Sequence, residues 1–458
     1  MFLLQSIRLL LIDRLLGMEN KYNVIIIGGG PGGYKTAVYA ASKGLTVLLV
    51  EKSELGGTCL NRGCIPTKTY ARHAEIIQTL KDSDSYGLDS LSFSFNFKTV
   101  VERKNSVVES LRNGISTLLA APGITVVRGE ARLKSADSIT VGELEYCADN
   151  IIIATGSESK TLPTVELDPE MILDSTQLLD SATLPKQICI VGAGVIGMEF
   201  ASILNAFGCE VGVVEFMKEC LPTLDQDIAK RLRKCLEKRG VSFYMQSSLK
   251  RASKGMVSFE KKGKETEIPA EKVLLAVGRK PNTEGLGLEA LGVALGKNGI
   301  VVDDNMRTNI PHVYAVGDVN GRQMLAHAAE MQGKRAINDI LGETDSIRFD
   351  IMPAAIFTNP EAACVGKTEE QLKADGKDYI CMKHYYRANG KAVAMNETEG
   401  LLKLLVDKDG LIVGCHVYGA HAADLVQEVS ALMCRDTTLR QLKDITHIHP
   451  TLSEIIVE

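Results

Sequence analysis

One pattern occurs twice in this chain, and it limits the fold more than any other feature. Residues 22–27 (YNVIII) form a short, β-branched apolar run. GGGPGG follows, then a small-residue helical stretch, TAVYAASKG, and a second apolar run, LTVLLV, that ends at Glu51. Residues 188–191 (ICIV) lead in the same way into GAGVIG, then MEFASILNAFG, then EVGVV, which ends at Glu215. Such runs read as buried parallel strands, and each set as a strand–helix–strand unit of about 30 residues. In both copies the acidic residue lies 18 positions beyond the third glycine of the motif. The copies start at Gly28 and Gly192, too far apart for a solenoid, so a functional unit has been duplicated.

Each turn has the form Gly-x-Gly-x-x-Gly: Gly28, Gly30 and Gly33, then Gly192, Gly194 and Gly197. The first glycine permits a tight turn, the second lets backbone approach a pyrophosphate, and the third allows close helix–strand packing. The helix that follows offers free N–H groups and a positive dipole end to phosphates. Glu51 and Glu215 stand where a carboxylate accepts hydrogen bonds from ribose hydroxyls. One such motif is weak evidence. Two, each after a strand, before a helix and with an acid at the right distance, make coincidence improbable. At the second site Glu215 would repel a 2′-phosphate and hold a free 2′-hydroxyl. FMKECL after it has no Arg, and Lys218 reads as a solvated surface lysine, so NAD is expected there rather than NADP.

The chain has 458 residues, enough for about three domains. Its net charge of −5 lacks the basic balance of a nucleic-acid binder. MFLLQSIRLLLIDRLLG is too short and too charged to span a bilayer, and no other stretch reaches about 18 apolar residues without a charge. Met18 reads as the natural start, with residues 1–17 as an upstream reading-frame extension or a frayed helix. Eleven Cys, an odd and scattered set, point to a reducing compartment: the cytoplasm, or the mitochondrial matrix in a eukaryote. Residues 95–120 read as helix and 124–153 as short strands. IIIATGS (151–157), with Thr155 and Gly156, and VLLAVGRKPN, with Gly278, are each expected to close a local sheet. From about 346 strands and one helix alternate as in an α+β domain.

One cysteine pair stands apart. GGTCLNRGCIPTK carries Cys59 and Cys64, five positions apart. In a regular helix five residues advance about 7.5 Å, more than the Cα separation of about 4.4–6.8 Å that a disulfide tolerates. A bridge therefore requires a distorted first turn, which Gly56, Gly57 and Gly63 permit, while Pro66 suits a helix start. A small strained loop gives a reducible disulfide. Half a zinc site or two buried thiols are the other readings, but zinc wants a second pair nearby and none follows. Beside two nucleotide sites, the redox reading is favoured, and no metal is expected.

GGTCLNRGCIPTK, the two glycine units, TNIPHVYAVGD (308–318) and MLAHAAE (324–330) together resemble the flavoprotein pyridine nucleotide–disulfide oxidoreductases, from about Met18 to Glu458. Arg62 stands where most members carry a small apolar residue. The resemblance implies an α/β chain of two Rossmann-like dinucleotide-binding domains plus a C-terminal α+β dimerisation domain. The divisions are 18–157 and 283–345 for FAD, 158–282 for NAD, and 346–458 for the dimer interface. It implies that Asp318 holds the ribitol chain of FAD and that Ala326 lies along the flavin. By the same resemblance Thr155 and Gly156 are expected at the FAD site and Gly278 at the NAD site. It also implies that Cys59 meets the substrate, that Cys64 faces the flavin, and that Lys68 and Glu199 form an ion pair beside it; read without it, these two are an ordinary helix-face salt bridge.

HIHPTLSE (447–454) closes the chain. Thiols attack disulfides as thiolates, so dithiol oxidation needs a base, and His is the natural candidate. Glu454 can orient His449, with Pro450 fixing the turn between them. By resemblance this segment serves the other subunit of a homodimer. Its two histidines lie nearer the lipoamide-oxidising branch than the glutathione branch. The expected partners are then lipoyl domains of 2-oxoacid dehydrogenase complexes or the glycine-cleavage carrier protein. Three alternatives stay open: an NADPH-dependent reductase of the glutathione or mercuric type, a flavin monooxygenase or NADH oxidase, and a non-catalytic assembly subunit. Glu215, the absence of a C-terminal Cys pair, the CLNRGC pair and the His449–Glu454 segment weigh against them.

Overall fold

A computed structural model describes residues 21–163 and 165–457; the expectations for residues 1–17 and for Met18 lie outside them. The chain divides into two compact units. Of the described residues, one holds those up to Ile65, Ser106–Glu158 and Arg279–Ile347. The other holds Pro66–Asn105, Ser159–Gly278 and Arg348–Glu458.

The first unit is built on β1 (Lys21–Ile27), α1 (Pro31–Ser42) and β2 (Val47–Glu51). After these come α2 (Gly57–Arg62), then α3 (Cys64–Lys81), along which the chain passes into the second unit at Pro66, and α4 (Phe97–Leu119), the helix expected over 95–120, along which it returns to the first at Ser106. Strands β3 (Ile124–Arg128), β4 (Ala131–Leu133), β5 (Ser138–Val141) and β6 (Leu144–Ile153) complete a sheet of order β3-β2-β1-β6-β5-β4, and Val313–Ala315 also pairs with β6. Strands β3, β2, β1 and β6 run parallel, and Val24 sits between Val47 and Asn150 in register. All four residues Val24–Ile27 and all of Val47–Val50 are buried, as expected for a sheet covered on both faces.

The second unit repeats the plan. Here β7 (Gln187–Val191), α5 (Val195–Ala206), β8 (Glu210–Glu215), α6 (Gln226–Lys238), β9 (Ser242–Met245) and β10 (Lys272–Leu275) form a parallel sheet of order β9-β8-β7-β10, extended by Ile172–Leu173. A polar antiparallel sheet, Ser247–Ser253, Met256–Lys261 and Lys264–Pro269, was not anticipated from the sequence. The same unit carries a five-stranded antiparallel sheet. Its strands are β11 (Ala354–Ile356), β12 (Glu361–Gly366), β13 (Tyr379–Tyr385), β14 (Leu401–Asp407) and β15 (Ile412–Gly419), in the order β11-β12-β15-β14-β13. Helix α7 (Ala422–Met433) packs on it through Leu425, Val426, Val429 and Met433. Among the described residues no helix is long and apolar enough to cross a membrane.

Candidate active site

The two glycine turns have one geometry. Gly28 and Gly192 have φ of +109° and +104°, in the region that favours glycine. A Cβ on Gly28 would lie 2.3 Å from the carbonyl oxygen of Ala154, and one on Gly192 2.5 Å from that of Ala276. On Gly33 and Gly197 it would lie 1.7 and 1.9 Å from the carbonyl oxygens of Gly28 and Gly192. The chain itself leaves these four positions no room. The middle glycines differ. Gly30 and Gly194 have φ of −72° and −77°, open to any residue. A Cβ on Gly30 would meet only the Gly57 Cα at 3.8 Å, and one on Gly194 nothing within 4 Å. Glycine there leaves the backbone bare at the N-terminus of α1 or α5, which is the room a pyrophosphate would need. Both cradles fit a dinucleotide.

The acids repeat the symmetry. Glu51 accepts hydrogen bonds from the N–H groups of Gly29 at 2.6 Å and Ser53 at 2.7 Å. Glu215 accepts from those of Ala193 at 2.5 Å and Met217 at 2.7 Å. Each carboxylate is held by the turn it serves, with lone pairs left for ribose hydroxyls. Lys218 is exposed, as expected.

Around the first cradle, Asn282 ties down the Thr155–Gly156 turn. Its side chain donates to the Thr155 carbonyl at 2.9 Å, its N–H to that of Gly156 at 3.0 Å, and Thr155 Oγ1 returns a bond at 2.7 Å. Asp318 lies on a short turn, Gly317–Asn320, and accepts from the Ser157 hydroxyl. Arg279 donates to the same hydroxyl at 2.7 Å and lies 3.9 Å from Asp318. Neither Ser157 nor Arg279 was singled out from the sequence, although both sit in the two runs that were. Ala326 opens the helix Ala326–Ile340. In the second unit Gly278, φ +107°, accepts a bond from Lys160 N–H at 3.0 Å.

The cysteine segment is built onto the first glycine turn. Gly56 N–H donates to the Gly29 carbonyl at 2.8 Å. A Cβ on Gly57 would come 2.7 Å from the Gly30 Cα, so only glycine allows this approach. Cys59 lies on α2 and Cys64 opens α3, both half-buried. The expected distortion is larger than one turn: the helix breaks completely at Gly63, with φ −145° and ψ −108°. Arg62, half-buried, is the last residue of α2. Tyr34 on α1 is near enough for the Cys59 sulfur to raise its phenol pKa, an effect second to burial.

Lys68 follows Cys64 by one turn of α3. Its Nζ lies 2.8 and 2.9 Å from the two carboxylate oxygens of Glu199 on α5. Glu199 is buried and also accepts from Phe357 N–H at 2.9 Å, while Lys68 Nζ sits 4.7 Å from the Phe357 ring centroid. Phe357 carries no local motif and could not be found by reading the chain.

At the C-terminal end His449 Nδ1 meets Glu454 Oε1 at 2.8 Å. Glu454 Oε2 accepts from Thr451 N–H at 2.8 Å. That bond first, and His449 second, hold the Glu454 carboxyl below its ordinary pKa. The His449 side chain is 81% exposed. His447, only 6% exposed, is locked between the Ile445 carbonyl and Glu428. Among the described residues no group of three or more His, Cys, Asp or Glu is arranged to hold a metal ion.

The sequence matches the family described as pyridine nucleotide-disulphide oxidoreductase over residues 22–333, and the dimerisation domain of that family over 352–458. It is 37% identical to a dihydrolipoyl dehydrogenase of Bacillus subtilis, over 96% of this chain and 98% of that one. It is also 37% identical to the mitochondrial dihydrolipoyl dehydrogenase of Pisum sativum, over 96% and 91%. Its fold superposes with a TM-score of 0.84 on the HOCl-induced flavoprotein disulfide reductase RclA from Escherichia coli, at 30% identity over 94% of this chain and 98% of that one. Cradles, dithiol segment and sequence agree, and the chain belongs to the pyridine nucleotide-disulphide oxidoreductase family.

Proposed function

We propose that the protein oxidises dihydrolipoamide to lipoamide and reduces NAD, working through a disulfide between Cys59 and Cys64. The observation that carries this reading is the joining of Gly56 to Gly29 and of Gly57 to Gly30, which builds the dithiol segment onto a dinucleotide cradle. The relatives named dihydrolipoyl dehydrogenase point to the substrate.

FAD fits the first cradle, with Gly28, Gly30, Gly33, Glu51, Thr155, Gly156, Asp318 and Ala326 to hold it. NAD fits the second, with Gly192, Gly194, Gly197, Glu215 and Gly278. Bound there, the two cofactors supply the two-electron transfer that side chains cannot. His449 Nε2 takes the proton of a substrate thiol. Its Nδ1–H donates to Glu454, which orients the ring and stabilises its charged form. The thiolate attacks Cys59 Sγ, the bond to Cys64 breaks, and Cys64 leaves as a thiolate. The second substrate thiol then attacks the mixed disulfide, closing lipoamide and releasing Cys59 as a thiol. Cys64 stands at the N-terminus of α3, whose positive dipole end favours a thiolate.

The match to a dimerisation domain supports a homodimer. The outward-facing His449 suits a base that serves the dithiol of a second protomer. Lipoyl domains of 2-oxoacid dehydrogenase complexes, or a glycine-cleavage carrier protein, would deliver the substrate. The division 18–157, 158–282, 283–345 and 346–458 and a reducing compartment, cytoplasm or mitochondrial matrix, go with this reading. An NADPH-dependent disulfide reductase is the alternative, and the Glu215 carboxylate opposes the 2′-phosphate it would bind.

Thiol mapping tests the proposal. After anaerobic dihydrolipoamide and then iodoacetamide, mass spectrometry should find Cys59 and Cys64 newly alkylated, and protected without the substrate. Identical alkylation before and after would overturn it.

A further inference from the structure

We infer that Arg112 is a positioning residue for the dithiol: gripping Asn61, it holds the helix break that sets the Cys59–Cys64 disulfide. Asn61 lies between the two cysteines on α2. Its Oδ1 accepts from Arg112 Nε at 3.1 Å and Nη2 at 2.8 Å. Its Nδ2 donates to the carbonyls of Leu55 at 3.0 Å, Gly57 at 2.9 Å and Glu54 at 3.4 Å. A guanidinium has no acceptor and a carbonyl no donor, so the amide can sit only one way. Every polar atom of the Asn61 side chain is therefore committed to holding α2 in place.

The grip comes from α4, 51 residues further along the chain. Arg112 is itself steadied by Glu54, 3.6 Å away, which pairs more closely with Arg128 at 2.9 Å. Glu54 precedes the Gly56–Gly57 turn that rests on Gly29 and Gly30, so the clamp and the glycine turn fix the same short helix from its two ends.

The consequence is redox chemistry, not folding alone. If α2 and α3 ran on as one helix, the two cysteines would stand about 7.5 Å apart along the axis, beyond disulfide range. The break at Gly63 prevents that. Release of Asn61 lets α2 relax toward the longer spacing, which weakens the disulfide relative to the dithiol. Arg112→Met should therefore leave less disulfide at a given ratio of glutathione disulfide to glutathione, in the exchange that oxidises two protein thiols as one glutathione disulfide becomes two glutathione. The expected shift in that equilibrium is tenfold or more, about 30 mV for a two-electron couple.

The inference rests on the reading of Cys59 and Cys64 as a redox pair. The test equilibrates holoenzyme in glutathione buffers, traps thiols with acid and alkylating agent, and counts modified Cys59 and Cys64 by mass. Wild type, Arg112→Met, Asn61→Ala and the double variant are compared, with FAD per chain as the folding check. Both single variants should shift the equilibrium tenfold or more toward dithiol. The double variant should match the larger single shift, because both changes remove one contact. A wild type that never forms the disulfide would sink the redox reading itself. A wild type that titrates normally, with Arg112→Met within twofold of it or with additive shifts in the double variant, would overturn the clamp alone. Should Arg112→Met bind no FAD, Asn61→Ala decides by the same criterion.

Discussion

His449 Nδ1 lies 2.8 Å from Glu454 Oε1, and the second oxygen of that carboxylate is spent on the Thr451 N–H at 2.8 Å. The acid is pinned to the backbone before it meets the imidazole, so it can fix the ring and leave Nε2 open for the base role proposed for it. His449→Gln should lower the turnover of dihydrolipoamide by about 10²–10⁴-fold, the range of a lost general base. NADH-driven reduction of ferricyanide, which needs no thiol deprotonation, should stay near the wild-type rate. Equal losses in both assays would contradict the assignment.

Cys64→Ser should bind FAD and lose the long-wavelength charge-transfer band that a thiolate beside flavin produces on two-electron reduction. Cys59→Ser should show the band before any reductant is added, since the sulfur it keeps is the one proposed to face the flavin. Spectra recorded during anaerobic titration decide it. A band that survives in Cys64→Ser reverses the roles of the two sulfurs.

Glu215 accepts from the N–H groups of Ala193 and Met217, and on the proposed reading its charge opposes a 2′-phosphate. Glu215→Arg replaces repulsion with a bidentate partner for phosphate. The ratio of kcat/KM for NAD over NADP should fall tenfold or more, about 1.4 kcal/mol. An unchanged ratio would mean that this carboxylate does not face the ribose.

Stability against acid should depend on a cluster far from any motif. Lys403 on β14 is 1% exposed and bonds both carboxylate oxygens of Asp225, which is fully buried, at 2.9 and 2.8 Å. It also contacts Glu369. Burial pulls the Lys403 ammonium down, but the bonds to Asp225 and Glu369 outweigh it and raise the pKa. Lys373 and Lys403 hold the Glu369 carboxyl at about 2, against 4.5 ordinarily. A depressed carboxyl contributes its full stability above pH 4.5 and loses it as pH falls toward 2. Urea midpoints should therefore drop over that window, and Glu369→Gln should flatten the drop. Lys403→Met, which strands the buried Asp225, should cost about 3–5 kcal/mol at neutral pH. A midpoint shift near zero would show that the cluster contributes nothing.

How much of this the sequence discloses depends on how local the constraint is. Gly28, Gly33, Gly192 and Gly197 are legible because a neighbouring stretch of backbone forbids any side chain, and Glu51 and Glu215 because they close the same turns. Gly30 and Gly194 are legible only through the motif, since the fold around them would admit a side chain. Asn61 is visible inside CLNRGC, but Arg112 is not. It lies on an exposed-looking helix and meets Asn61 only through the fold. Lys403, Asp225 and Glu369 likewise read as ordinary surface charges until the sheet β14 and the cap of α6 meet. The polar sheet over 247–269 was missed because its charged, turn-rich sequence carries little of the apolar alternation that marks a half-buried strand.

Dithiol oxidation coupled to NAD can be measured directly. Purified protein should be supplied anaerobically with dihydrolipoamide and NAD⁺, with NADP⁺ and reduced glutathione as parallel substitutions, and NADH followed by absorbance. Steady turnover is expected with dihydrolipoamide and NAD⁺, and little in either substitution. Silence there, with NADPH-driven disulfide reduction instead, would contradict it and transfer the same dithiol to the reductases.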